Sequence, residues 1–237
     1  MNDLFLFGKD YSDTIMFVES NKEGETNSCS NIVQKQGGVA NFFEVKFNNW
    51  KLNPITTGEK KAYIVSDRTT STRTSYVLNQ SPSIMSEQSI NAINQGAWLH
   101  VCYVDDIECY SELSKIKIPY SIDFCTELSR EMYTHVMQSA KIIFDSRERK
   151  ALYNNITLKT PLVLHDAAGF EIIEKGKIIH KESQKPLKNL NVNGAGDIYA
   201  AFAINNYYSR GLIDSTKNAM VETTNLLINR TKNEQKV

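Results

Sequence analysis

The stretch Asn191-Val192-Asn193-Gly194-Ala195-Gly196-Asp197 combines backbone freedom with a carboxylate. Glycines let backbone N–H groups approach an anion without side-chain interference. The apolar residues at 198–202 read as a helix, whose N-terminus adds partial positive charge. Gly194, Ala195 and Gly196 are therefore suited to form an anion hole with their amides aimed at phosphate charge. Asp197 then has two readings: a plain partner of the helix dipole, or a carboxylate brought to a reacting group. For G-A-G-D alone the plain reading is favoured, because short glycine motifs recur by chance.

Other residues extend the set. Asp13 opens the run D-T-I-M-F-V-E and has two oxygens that can accept from neighbouring hydroxyls of a polyol. Gly37 and Gly38 break the chain ahead of Asn41, which otherwise reads as a helix cap. Asp145 and Glu148, three residues apart, share one side of a helix start and suit a hard, hydrated cation. His100, His135, His165 and His180 lack zinc-site spacing, and Cys29, Cys102, Cys109 and Cys125 contain no C-x-x-C pair. G-x-S-x-G and H-E-x-x-H are absent.

These residues must be held by something. L-F-L-F-G reads as a first strand ending at Gly8 and D-T-I-M-F-V-E as a second. K-K-A-Y-I-V-S-D-R-T-T-S-T-R-T-S-Y-V-L-N reads as an antiparallel hairpin, in which Arg68 or Arg73 could meet sugar or phosphate. From residue 97, A-W-L-H-V-C-Y-V, K-I-P-Y-S-I-D-F, A-K-I-I-F-D and P-L-V-L-H-D follow at intervals of roughly 20 residues, separated by segments compatible with helices. Such alternation predicts a parallel sheet covered by helices, with ligands at the carboxyl ends of the strands, where Asp105, Asp123, Asp145 and Asp166 fall. E-I-I-E-K-G-K-I-I-H-K-E predicts a second hairpin. A helix from Asp197 should stop at Arg210-Gly211, and a last one should start at Asp214.

The 237 residues suit a single domain, and 41% apolar content suffices for a core. Twenty-seven basic residues balance twenty-seven acidic ones, so no charge field attracts nucleic acid. No apolar run reaches membrane-spanning length and the N-terminus is unlike a signal peptide, so a cytoplasmic protein is expected.

N-V-N-G-A-G-D-I-Y-A-A-F resembles the C-terminal signature of the ribokinase-like (PfkB) carbohydrate kinases, D-T-x-G-A-G-D, with Asn191-Val192-Asn193 in place of D-T-x. G-G-V-A-N resembles the family's N-terminal glycine pair and sugar-binding asparagine, one residue closer than usual. D-S-R-E resembles its N-x-x-E element, and V-L-H-D-A-A-G its T-L-G-x-x-G segment, with Asp166 for a glycine. The resemblance implies a three-layer α/β sandwich with a mainly parallel sheet. A small β-hairpin lid would be drawn from about 9–36 and 60–80 of one domain spanning 1–237.

It further implies Asp197 as general base with Gly194, Ala195 and Gly196 as anion hole, and Asp13, Gly37, Gly38 and Asn41 at the sugar. Gly169 and Asn191 would lie at ATP, and Asp145 and Glu148 at Mg²⁺. The implied activity is ATP-dependent phosphoryl transfer to a sugar hydroxyl. Any self-association is expected as a homodimer through lid strands. Only eighteen residues (42–59) separate G-G-V-A-N from the hairpin, where the family places further elements. A catalytically weakened relative that binds a sugar or nucleotide is the alternative, with a partner over the shortened edge as one way to cover it.

Overall fold

The computed structural model describes residues 1–234 apart from 23, 71, 79–81 and 109; Cys109 thus lies outside the described residues. Two long strands organise it: β1 (Asn2–Val18) and β3 (Trp50–Asp67) run side by side in parallel. Residues 4–7 of β1 also pair with β5 (Trp98–Val101), whereas residues 10–18 pair antiparallel with β2 (Cys29–Gly38). The first halves of β1 and β3 therefore belong to a core sheet and their second halves to a lid. Between them the register slips: Gly8 faces Thr56 but Asp10 faces Glu59, so Lys9 opposes Thr57 and Gly58. This bulge, with Gly58 at φ 115°, falls where lid leaves core. β4 (Thr72–Val77) closes the lid against residues 62–67 as the expected hairpin.

The core sheet continues from β5 through β6 (Tyr120–Asp123), β7 (Ile142–Ser146) and β8 (Leu162–Asp166), all parallel. It ends in the antiparallel hairpin β9 (Gly169–Glu174) and β10 (Lys177–Ser183). Period-two alternation sends opposite side chains to opposite layers. Leu4, Leu6, Trp98, Ile142, Phe144 and Val163 pack with helix α3 (Ala195–Glu234). Phe7, Leu99, Val101, Ile143, Leu162 and Leu164 pack with α1 (Glu87–Ile93) and α2 (Thr134–Ser139). Each fully buried side chain of this size contributes roughly 1.5–3 kcal/mol relative to exposure. The expected α/β sandwich with a mainly parallel sheet is the observed one.

Three local expectations differ. The first two apolar runs form the single strand β1, because Gly8 is there for contact and not as a stop: a Cβ on it would lie 2.9 Å from the Cys102 carbonyl oxygen. The segment 125–139 forms a 3-10 turn (Glu131–Tyr133) and the six-residue α2 in place of a longer helix. Its preceding residues are tied down, since buried Arg130 donates to the carbonyls of Thr126 and Leu128. The helix expected to stop at Arg210-Gly211 is interrupted there by a non-helical kink at Gly211 (φ 72°), and helical structure resumes at once and not at Asp214. At the shortened edge, residues 50–56 of β3 border the core sheet, and Pro54 has no N–H to offer an added strand.

Candidate active site

The G-A-G-D turn forms as a tight entry to α3. Gly194 sits at φ 71°, and a Cβ on it would lie 2.5 Å from the Asn41 side chain, so this position needs glycine twice over. A Cβ on Gly196 would meet only the His165 ring, at 3.5 Å. Protein packing therefore leaves room there, as an anion approaching the first-turn amides requires.

Asp197 is buried beside this turn. Its Oδ2 accepts from Asn41 Nδ2 at 2.7 Å and from the Tyr103 hydroxyl at 2.8 Å. Its Oδ1 is buried without a hydrogen-bond partner, as is the Asn41 Oδ1. Burial pushes the Asp197 pKa up to about 6, against the lowering effect of the Tyr103 and Asn41 hydrogen bonds and the Arg73 charge. An unpartnered carboxylate oxygen with a raised pKa can take a proton near neutral pH.

The paired glycines explain how Asn41 arrives. Gly37 pairs with Tyr11 and Gly38 with Asp10 at the foot of the lid, and Gly38 turns at φ 63° into a 3-10 segment (Val39–Glu44). Asn41 sits inside that segment and points at Asp197; it does not cap it. A Cβ on Gly37 would lie 2.4 Å from Asp13 Oδ2, so the glycine makes room for that carboxylate.

Asp13 is buried on β1 and accepts from Asn193 Nδ2 at 2.8 Å, while Asn193 Oδ1 accepts from Arg73 Nη1 at 2.7 Å. Burial raises the Asp13 pKa, and the Asn193 hydrogen bond, Arg73 and Lys35 offset it. Lid strands β1 and β4 are thereby joined to the glycine turn. Arg68 lies elsewhere, its guanidinium 5.0 Å from the Phe17 ring centre.

Sequence reasoning missed Tyr103 and the bridging role of Asn193. Tyr103 follows β5 at a parallel strand's carboxyl end, which is the one signal that could have flagged it. Its backbone is left-handed (φ 68°, ψ 76°), an uncommon state for a bulky residue.

The strand ends beyond Asp197 are different in character. Asp123 is buried, and burial followed by the charges of Asp197 and Asp145 holds its pKa well above the carboxylate range. Asp145 is fully engaged: Oδ2 accepts from Arg130 Nε (3.1 Å) and Tyr153 (2.7 Å), and pairs with Arg130 Nη2 (3.0 Å). Its Oδ1 accepts from Arg149 Nε (2.5 Å) and the Ser146 amide (2.7 Å). The expectation that Asp145 holds a cation does not fit this geometry, because its acceptor positions are filled and two guanidinium charges stand beside it. Glu148 is exposed, and among the described residues no cluster of three or more His, Cys, Asp or Glu could hold a metal.

Asp166 is paired with Arg147 at 3.3 Å and accepts from the Ala168 amide at 2.7 Å, so it caps a turn beside a compensating guanidinium. Gly169 (φ 132°) is needed by the hairpin itself, since a Cβ would lie 2.2 Å from the Glu182 carbonyl oxygen. Asn191 shapes the turn by accepting from the Asn193 amide at 3.1 Å, while Arg230 Nη2 donates to both their carbonyls at 2.7 Å. His100 stays neutral, with burial lowering its pKa to about 3, and bonds Ser121 at 2.9 Å.

No protein-family model matches the sequence, and no curated protein sequence matches it. Solved structures do match over nearly the whole chain. A ribokinase from Thermotoga maritima aligns with TM-score 0.65 and 12% identity over 98% of this chain and 93% of its own. A ribokinase from Arabidopsis thaliana, solved with ribose and ATP, aligns with TM-score 0.65 and 14% identity over 94% and 91%. A nucleoside kinase from Methanocaldococcus jannaschii, an archaeal member of the ribokinase family, aligns with TM-score 0.65 and 16% identity over 94% and 90%. The chain has the ribokinase fold. No helix among the described residues is long and apolar enough to cross a membrane.

Proposed function

We propose that this protein transfers the terminal phosphoryl group of ATP to a hydroxyl of a sugar or sugar-like molecule, with Asp197 as general base. The observation that carries this reading is the unpartnered, buried Oδ1 of Asp197 beside a glycine turn whose amides open a helix. The fold supports it, since the similar structures include kinases solved with ATP and ribose or with ADP.

Each residue then has a task. Asp13 and Asn193 offer a carboxylate and an amide to the acceptor's other hydroxyls, close to Arg73 of the lid. Asn41 and Tyr103 fix Asp197 Oδ2, which leaves Oδ1 to receive the proton. As the acceptor oxygen bonds to phosphorus, the bond to the β-phosphate oxygen breaks and ADP departs with its electron pair. The amides at 194–196 stabilise charge on the transferring group.

Mg²⁺ bound to the nucleotide phosphates would neutralise their charge and is held in such sites by few protein carboxylates and several waters. Of the two residues expected at Mg²⁺, Glu148 is exposed and open to solvent, whereas the acceptor positions of Asp145 are taken.

A second reading is favoured by the Asp145 geometry, in which both carboxylate oxygens are already engaged: a sugar- or nucleotide-binding relative with little turnover. An acceptor panel with Mg²⁺-ATP separates the two. ADP release with one acceptor supports the kinase. A thermal shift with a sugar, without ADP release and without a shift from ATP, establishes the binding protein instead. Self-association through the lid belongs to the same proposal: Tyr63 and Tyr76 form an exposed cross-strand pair on β3 and β4. A monomer by light scattering would dismiss it.

A further inference from the structure

Tyr103 touches both halves of the molecule. Its hydroxyl donates to Asp197 Oδ2 at 2.8 Å. Its ring packs against the lid's own apolar cluster of Tyr11, Ile15, Phe17, Ala62 and Ile64, meeting Tyr11 edge-on with centroids 5.8 Å apart. Its left-handed backbone opens a 3-10 turn (Val104–Asp106), in which the Asp106 amide donates to the Tyr103 carbonyl at 2.9 Å.

Asp106, at the end of that turn, is gripped by the lid a second time. Lys60 of β3 forms an ion pair with its carboxylate, and the Tyr11 hydroxyl of β1 donates to it at 3.4 Å. Both lid residues lie just beyond the bulge, in register with each other. A continuous path thus runs from the foot of the lid through Asp106 and the turn to Tyr103 and Asp197. A non-glycine residue in a sparsely populated conformation persists only where its surroundings impose it, and here the lid supplies part of the imposition.

We propose that Tyr103 positions Asp197 as the base, and that the turn carrying it links this contact to the seating of the lid. The proposal rests on the reading of Asp197 as base. With the lid seated, Lys60 and Tyr11 hold Asp106, and the tyrosine hydroxyl occupies Oδ2 and leaves Oδ1 for the acceptor. With the lid raised, Asp106 loses both partners and the apolar cluster leaves the Tyr103 ring. Asp197 then loses one of its two hydrogen bonds, and Oδ2 is no longer reserved by the tyrosine hydroxyl. The base is thereby readied only in a closed site, where water is excluded. The other ionisable groups acting on Asp197 or raised by its charge are Asp13 and Arg73 from the lid, Asp123 from β6 and Cys102 after β5.

The test follows the ionisation of Asp197 directly, by carboxyl ¹³C NMR of the full-length protein labelled at aspartate. The Asp197 resonance is assigned by its absence in Asp197→Asn. Tyr103→Phe keeps the ring on the lid cluster and removes the hydroxyl. Its Asp197 midpoint should rise by roughly one unit, as expected for losing one hydrogen bond to a carboxylate. On an active acceptor, kcat should fall about tenfold with the KM for ATP within about twofold.

Lys60→Met should move the midpoint in the same direction by less. A merely structural role for either residue would lower thermal stability and leave the midpoint unmoved. An unchanged midpoint in Tyr103→Phe overturns the positioning role; a shift there with none in Lys60→Met overturns the link to the lid. If the wild-type protein phosphorylates no acceptor, the titration still decides both points, and only the kinase reading is lost.

Discussion

Asp197 and Asp145 are both buried aspartates, and the charge of each raises the pKa of Asp123 at the carboxyl end of β6. Around Asp145 every acceptor position is filled, by two arginines, a tyrosine and a backbone amide. Around Asp197 only neutral donors are bound, both on one oxygen, and the other oxygen has no partner. Burial is therefore common to a brace and to a base. What separates them is compensation: two guanidinium groups pair with Asp145, while burial without a paired charge lifts Asp197 to about 6.

The largest effect that this contrast predicts is on stability at the brace. Asp145→Ala leaves Arg130 buried without its main partner and should cost about 3–5 kcal/mol in urea unfolding. Asp197→Asn should do the opposite. Because the Asp197 pKa is raised from 3.8 to about 6 on folding, the native state binds more protons than the unfolded state between those values. The favourable contribution of protonated Asp197 is complete below 3.8 and is lost as pH rises through 6, so at neutral pH the ionised group weakens the fold by up to about 3 kcal/mol.

Unfolding at pH 7.5 should find Asp197→Asn more stable than wild type, with the gap closing below about pH 4. A destabilised variant across the whole range would erase the contrast. The smallest expected effect is that of Tyr153→Phe, which removes one hydrogen bond to Asp145. It should cost about 1 kcal/mol and leave turnover unchanged. A turnover loss in this variant would move the brace into the active site.

How much of this could be read beforehand depended on how local the cause was. The Gly194 and Gly38 turns follow from backbone freedom and were legible as glycine pairs. The hairpin at β3 and β4 and the alternating strands were legible from periodicity. Gly8 was misread as a stop because its reason is tertiary, the close approach of Cys102. Asp145 matched a cation-site spacing, but its state is decided by Arg130, which lies earlier in the chain on a different strand connection. Tyr103 had no motif at all. Its role exists only once the end of β5, the lid cluster and the start of α3 meet.

The central claim is that Asp197 accepts the proton during phosphoryl transfer from ATP. Its most direct test is kcat for wild type and Asp197→Asn on whichever acceptor the panel identifies, at pH 7.5 with saturating Mg²⁺-ATP. A fall of roughly 10²-fold or more, with the fold intact and the KM for ATP little changed, is the expected result. A variant that turns over within a few-fold of wild type would contradict the account and remove Asp197 from the chemistry.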